Sequence, residues 1–231
     1  MLEQTKKNLQ DAEQCILQQA SKLLPTYDST NLYPLDRVLS SSMIKTYYDS
    51  EEDFFTRYMV GGQPLTVPLI VGSTFSAMYQ YDDFDPTEVL TLIGKSNLIP
   101  ILEDARKRIP RIGVTKEDAI VVEYMGWKIR VTLDGVYYPK RGASTVFENK
   151  TGRVGWDDYR VSEDLQLTMQ AWAVKKKTGK LPKKIILSWV DLNPTTPQRV
   201  RAFETVRTDA EVEYFEKAIL EPMLNNLEKN I

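Results

Sequence analysis

An α/β fold with a central mixed sheet flanked by helices, preceded by a helical N-terminal region, is what this sequence predicts. Three observations lead there. The first half carries apolar residues at helical spacing, punctuated by capping hydroxyls and prolines. From Ala119 onward short β-branched and aromatic runs end in turn residues. An amphipathic helical stretch over 162–177 separates two of those runs, the pattern that returns a chain to the same sheet. With 231 residues and no clear linker or internal repeat, one domain spans 1–231. Residues 1–110 are its mainly helical part and 111–231 its sheet-containing core.

Residues 1–24 read as a helix, with Leu9, Ala12, Ile16, Ala20 and Leu23 or Leu24 near helical spacing. Pro25 to Pro34 is a loop. The hydroxyls after Leu39 suit an N-cap, and the helix they start runs to Met59 with a break near Asp49-Ser50. Gly61 to Pro64 is a second break, and a buried helix follows Pro68 as far as Gln80. Short helices cover 86–94 and 97–108. Ala119 to Met125 and Trp127 to Leu133 are strands joined by a tight turn, which Val136-Tyr-Tyr138 extends. Ser144 to Glu148 is a third strand, Lys184 to Val190 a fourth, and Thr208 to Leu227 a closing helix with acids at its positive end.

Composition narrows the chemistry. A 42% hydrophobic and 10% aromatic chain is globular, and no run approaches the roughly 20 apolar residues that span a bilayer. The polar N-terminus is unlike a secretory signal. The lone Cys15 fits a reducing, cytoplasmic setting. Without histidine, Ser-His-Asp and Cys-His systems and His-ligated zinc are excluded. One cysteine excludes a four-cysteine iron–sulfur cluster within the chain. Gly61-Gly62 lacks the lysine and hydroxyl of a phosphate loop. Net charge is −2, but Arg106–Arg111, Lys140-Arg141 and Lys175–Lys184 are locally basic. Each is either a phosphate contact or a solvated turn or helix end.

What remains is carboxylate, lysine, hydroxyl and hard-metal chemistry. The strand at Trp127 ends in Asp134-Gly, the one at Ser144 in Glu148-Asn-Lys150, and a helix with Gln166 and Gln170 follows. Asp134 and Glu148 on neighbouring strand ends can bind Mg²⁺ or Mn²⁺, with the Asn149 backbone carbonyl as a further ligand. Lys150 shares a strand face with Glu148, where its ammonium can orient an attacking water or stabilise transition-state charge. Gln166 positions Lys150 or a phosphate, or merely keeps the helix polar. Arg153 is a phosphate contact or a surface residue. Trp156 and Tyr159 can stack bases of a single strand or cover the core. Trp172, on the helix face toward the sheet, is core.

The order strand–Asp, strand–Glu-x-Lys, helix with Gln resembles the PD-(D/E)xK nuclease superfamily, and within it the RecB-like branch that includes phage exonucleases and CRISPR-associated nucleases. The resemblance covers about residues 39–190. Leu39 to Tyr47 and Phe54-Phe-Thr-Arg-Tyr58 resemble that branch's early helical segment. Gly72-Ser-Thr-Phe-Ser76 resembles its Gly-x-x-x-His, with Ser76 where a metal-binding histidine stands, so a ligand is missing or replaced by the hydroxyl or a water. Gln166-Leu-Thr-Met-Gln170 resembles its Gln-x-x-x-Tyr, with Gln170 in place of the tyrosine of a DNA-binding motif. The cluster cysteines of several relatives are absent.

The resemblance implies a restriction-endonuclease-like core and Mg²⁺- or Mn²⁺-dependent hydrolysis of DNA. The enzyme would be an exonuclease or single-strand-preferring nuclease in replication, recombination or repair, with Asp134, Glu148, Lys150 and Gln166 catalytic. Partners would be single-stranded DNA or duplex ends, recombination or replication proteins, and further copies of the chain. The alternatives are a non-catalytic nucleic-acid-binding or assembly subunit that kept the fold, and a nuclease acting on RNA.

Overall fold

The computed structural model describes residues 2–25, 36–61, 65–109, 118–193, 195–196 and 199–230. The loop expected from Pro25 to Pro34 and the break at Gly61–Pro64 lie almost wholly outside them, as does Arg111 of the first basic cluster.

Helix α1 (Leu2–Lys22) turns Leu17 and Ala20 inward, with Leu24 just beyond its end. Leu9 and Ile16 are exposed, so the inward stripe sits one step round from the expected one. The Gln14 side-chain amide donates to the Leu65 carbonyl at 3.0 Å, which helps fix that rotation.

Strand β1 (Val38–Ser40) precedes α2 (Ser41–Asp49), whose N-cap is Ser40. A three-residue strand is too short to show alternation, and sequence alone gave it no signal. Ser50 breaks the helix where expected and caps α3 (Glu51–Phe54), which runs on as a π-helical stretch, Phe55–Gly61.

Helix α4 (Val67–Gln80) starts from the Thr66 cap with Pro68 in its first turn. Helix α5 (Thr87–Leu92), a 3₁₀ turn (Ser96–Leu98) and α6 (Ile99–Arg108) follow. With α1 they bury one apolar cluster, including Leu17, Ile70, Phe75, Leu90 and Leu102.

Strands β2 (Asp118–Tyr124) and β3 (Trp127–Leu133) pair antiparallel along their whole length. Their two-residue turn has Met125 at φ 50° and Gly126 at φ 79°. Positive φ at both positions matches the twist of a tight hairpin. The chain then does something alternation cannot reveal. At Asp134 it leaves the β1-β3-β2 sheet and enters a second, four-stranded one.

Strand β4 (Gly135–Tyr137) pairs antiparallel with β5 (Thr145–Gly152), so it does not extend β3 within one sheet. Helices α7 (Asp158–Glu163) and α8 (Leu165–Thr178) cross over to β6 (Lys184–Asp191), which lies parallel to β5. Strand β7 (Val200–Thr205) is an antiparallel neighbour of β6 that the sequence reading missed. Its residues are half-buried or exposed, so no apolar face marks it.

Helix α9 (Asp209–Tyr214), a π-helical stretch (Phe215–Leu220) and α10 (Glu221–Asn230) close the chain as one helical run. The main core lies between the strands, α8 and this run, and Trp172 is buried at its centre as expected. The Trp172 ring meets Phe215 edge-on at 5.6 Å, and its indole N–H donates to Glu216 Oε2 at 2.6 Å. That bond satisfies the polar handle of a large buried aromatic.

Candidate active site

Strand register places the two acids. Gly135 pairs with Phe147, so Asp134 stands one step further out, opposite Glu148. The Asn149 backbone N–H donates to Asp134 Oδ2 at 2.7 Å, which ties the sheet junction to β5. Glu148 and Lys150 lie two apart on β5 and project to one face, with Lys150 Nζ 2.5 Å from Glu148 Oε1.

Helix α8 covers that face. Asp164 caps it, accepting from the Leu167 N–H at 3.0 Å, which puts Gln166 in its first turn and Gln170 one turn later on the same side. Gln166 Oε1 accepts from Lys150 Nζ at 2.6 Å while its amide donates to Glu148 Oε1 at 2.9 Å. The Gln170 amide donates to Glu148 Oε2 at 2.6 Å and to the Thr132 carbonyl at 3.4 Å. Burial alone would pull the Lys150 ammonium below the ordinary lysine range. The Glu148 carboxylate beside it, and then Asp134 and Asp164, outweigh burial and hold it above that range. Lys150 is therefore a cation and a donor at neutral pH, not a base.

Two sequence expectations are corrected. Gln170 is fully buried and cannot touch a nucleic acid; it positions Glu148 instead. Trp156 is only 7% exposed, with the Arg160 guanidinium 4.2 Å above its ring, so it is not an open platform for a base. Tyr159 is 76% exposed and Arg153 is exposed just past β5. Ser76 lies on α4, which packs against β5: a Cβ on Gly72 would come 3.8 Å from Thr151 Oγ1. Ser76 follows one turn later, and its hydroxyl accepts from the Gln80 amide at 3.1 Å.

Gln170→Leu keeps the volume and removes the donor to Glu148 Oε2. It is expected to cost about 1–3 kcal/mol of stability, measured by urea denaturation. If the site binds metal, affinity for that metal should fall roughly 10–100-fold, measured by calorimetric titration.

The donor set suits a hard divalent cation. Asp134, Glu148 and the Asn149 carbonyl offer oxygen only. Glu148 Oε1 takes Lys150 and Gln166, whereas Oε2, among the described residues, takes only Gln170 and keeps a lone pair for a cation. Among the described residues no three acids, histidines or cysteines converge. Two carboxylates fit Mg²⁺ or Mn²⁺, which keep waters and substrate oxygens, better than a metal that demands a closed protein cage.

Arg207 carried no sequence signal, yet it holds the site's helix in place. Buried, it donates to Thr168 Oγ1 at 2.8 Å and to the Val161 and Asp164 carbonyls at 2.9 and 3.3 Å, joining the end of α7 to the start of α8. Burial draws its guanidinium below the ordinary arginine range, against the nearby charges of Glu211, Asp164 and Glu163.

No family model matches the chain, and no curated protein does. Among solved structures it is similar to a candidate exonuclease from Eubacterium rectale, at 13% identity and a TM-score of 0.56, with 89% of this chain and 88% of that one covered. It is also similar to an alkaline exonuclease from Laribacter hongkongensis, at 13% identity and a TM-score of 0.45, with 84% and 91% covered. The first likeness shows a shared fold, and that fold is the restriction-endonuclease-like core.

Proposed function

We propose that this chain is a metal-dependent nuclease that hydrolyses DNA phosphodiester bonds, acting as an exonuclease or on single strands. One observation carries the reading: Glu148, Lys150 and Gln166, from a strand and a helix, form one bonded group, and Asp134, opposite Glu148 at the sheet junction, is tied to the same strand through the Asn149 N–H. The name of the Eubacterium rectale protein supports the same reading.

Asp134, Glu148 and the Asn149 carbonyl would hold Mg²⁺ or Mn²⁺, with Ser76 as a further ligand. The cation supplies a water acidified toward neutrality and a counter-charge for the phosphate. Lys150 donates to the attacking water or to a phosphoryl oxygen and stabilises the charge that builds there. Gln166 aims the ammonium, and Gln170 fixes the rotamer of Glu148. Arg153 and Tyr159, both exposed, would meet the strand beyond the scissile bond. A role in replication, recombination or repair, with DNA ends as substrate, belongs to the same proposal.

End-labelled single- and double-stranded DNA, incubated with Mg²⁺, Mn²⁺ or EDTA, tests it. The wild type is expected to cut with metal and not with EDTA, and Asp134→Asn is expected to be inactive under all conditions. Mononucleotides released from one end would identify an exonuclease. DNA bound but uncut would instead mean a non-catalytic subunit, and cleavage confined to RNA a ribonuclease.

A further inference from the structure

Several residues of the basic clusters are paired with acids. Arg106 pairs with Asp82, Lys175 with Asp209, Lys176 with Glu216 and Lys184 with Glu204. Two arginines that the sequence did not single out are different, and both stand at the Lys150 end of the sheet.

In register across the strands, Lys150 pairs with Trp189 and Trp189 with Arg201. Laterally paired residues share a sheet face, so these three form a row that begins at the active site. Trp189 is buried, and the Arg201 guanidinium lies 4.6 Å from its ring centroid. After β5 the chain turns through Gly155, and there Arg160 covers buried Trp156 and donates to the Gly155 carbonyl at 3.2 Å. A Cβ on Gly155 would come 3.3 Å from Arg201 Nη2, so both arginines close on this one residue.

Both are exposed, and among the described residues neither pairs with a carboxylate. Asp191 feels the charge of Arg201, but it is buried and already accepts from the Asn193 backbone and side chain and from Thr196. Asp157 caps the Arg160 backbone N–H. A guanidinium centred over an indole is held against the ring, and those of its N–H groups that do not already donate stay available for a planar or tetrahedral anion.

We propose that Arg160 and Arg201, each seated on a buried tryptophan at either side of Gly155, form a clamp for the phosphodiester backbone of the bound strand. The clamp rests on the nuclease reading and adds to it the element that holds the strand. Two strand spacings, roughly 10 Å, separate Arg201 from Lys150 along the row. The clamp therefore grips backbone that flanks the reacting phosphate, and it does so without regard to sequence.

The test is the salt dependence of oligothymidine binding in EDTA, read by fluorescence anisotropy, for wild type, Arg160→Gln, Arg201→Gln, the double variant and Lys184→Gln. Each phosphate contact on a single strand contributes about 0.7 to the slope of log K against log salt. Each single variant should lose about 0.7 and the double about 1.4, with Lys184→Gln unchanged. Because Arg201 also covers Trp189, Arg201→Lys is included: charge kept, it should retain the wild-type slope. A double variant with the wild-type slope, in a protein that cuts DNA, would overturn the clamp and leave the nuclease standing. A wild type that cuts no DNA, yet binds it with a slope reduced in the double variant, would instead overturn the nuclease and leave the clamp as a binding site.

Discussion

Lys150→Ala is expected to slow metal-dependent DNA cleavage by at least about two orders of magnitude, the scale of losing one preorganised charge at a transition state. The ammonium is held by Glu148 and Gln166 and is already protonated, so no reorganisation is needed when charge develops on the phosphate. DNA binding should fall far less than cleavage, because strand contacts outside Lys150 remain. Single-turnover cleavage of end-labelled DNA beside anisotropy in EDTA separates the two effects. A rate within a few-fold of wild type would remove Lys150 from the chemistry and with it the main support for this site. Binding and cleavage lost in parallel would make the lysine a phosphate contact only.

How much of this was legible in the sequence depends on where each residue's partners lie. Glu148 and Lys150 could be assigned to one face from strand alternation alone, and the four-residue spacing of Gln166 and Gln170 placed both on one side of α8. What that side faces could not be read. Gln170 sits among Met169, Ala171 and Trp172, and only the crossover that lays α8 over β5 shows that its amide serves a buried carboxylate. The lysines of 175–184 could be read as phosphate contacts or as a solvated helix end and turn, because the acids that pair with Lys175, Lys176 and Lys184 lie well downstream, at Asp209, Glu216 and Glu204. Trp156 could be read as a base platform or as core because the arginine that covers it is four residues on, across the start of α7, and the structure puts it in the core. Local periodicity gave most of the elements, though not β1 or β7; the split of the strands into two sheets at Asp134 is a tertiary event with no local marker.

Glu148→Gln is expected to be both inactive and destabilised by about 2–4 kcal/mol, measured by urea denaturation in EDTA. The carboxylate is 3% exposed and accepts from three side chains. An amide in its place turns one acceptor into a donor facing donors and leaves Lys150 without its counter-ion. Breaking a fully buried pair costs about 3–5 kcal/mol; the Lys150 side chain keeps 26% of its exposure, which lowers the figure. Adding Lys150→Met should restore much of the loss, since the charge that made the glutamine costly is gone, while activity stays absent. The double-variant cycle isolates the pair, and neighbours in one network usually couple by about 0.5–3 kcal/mol. If the two substitutions simply add, the ion pair contributes nothing to stability and the cost belongs to the glutamine donors alone. If they couple, the protein holds its reactive lysine and acid together at rest as one structural unit, so that the group meant for a cation and a phosphate is already built before either arrives.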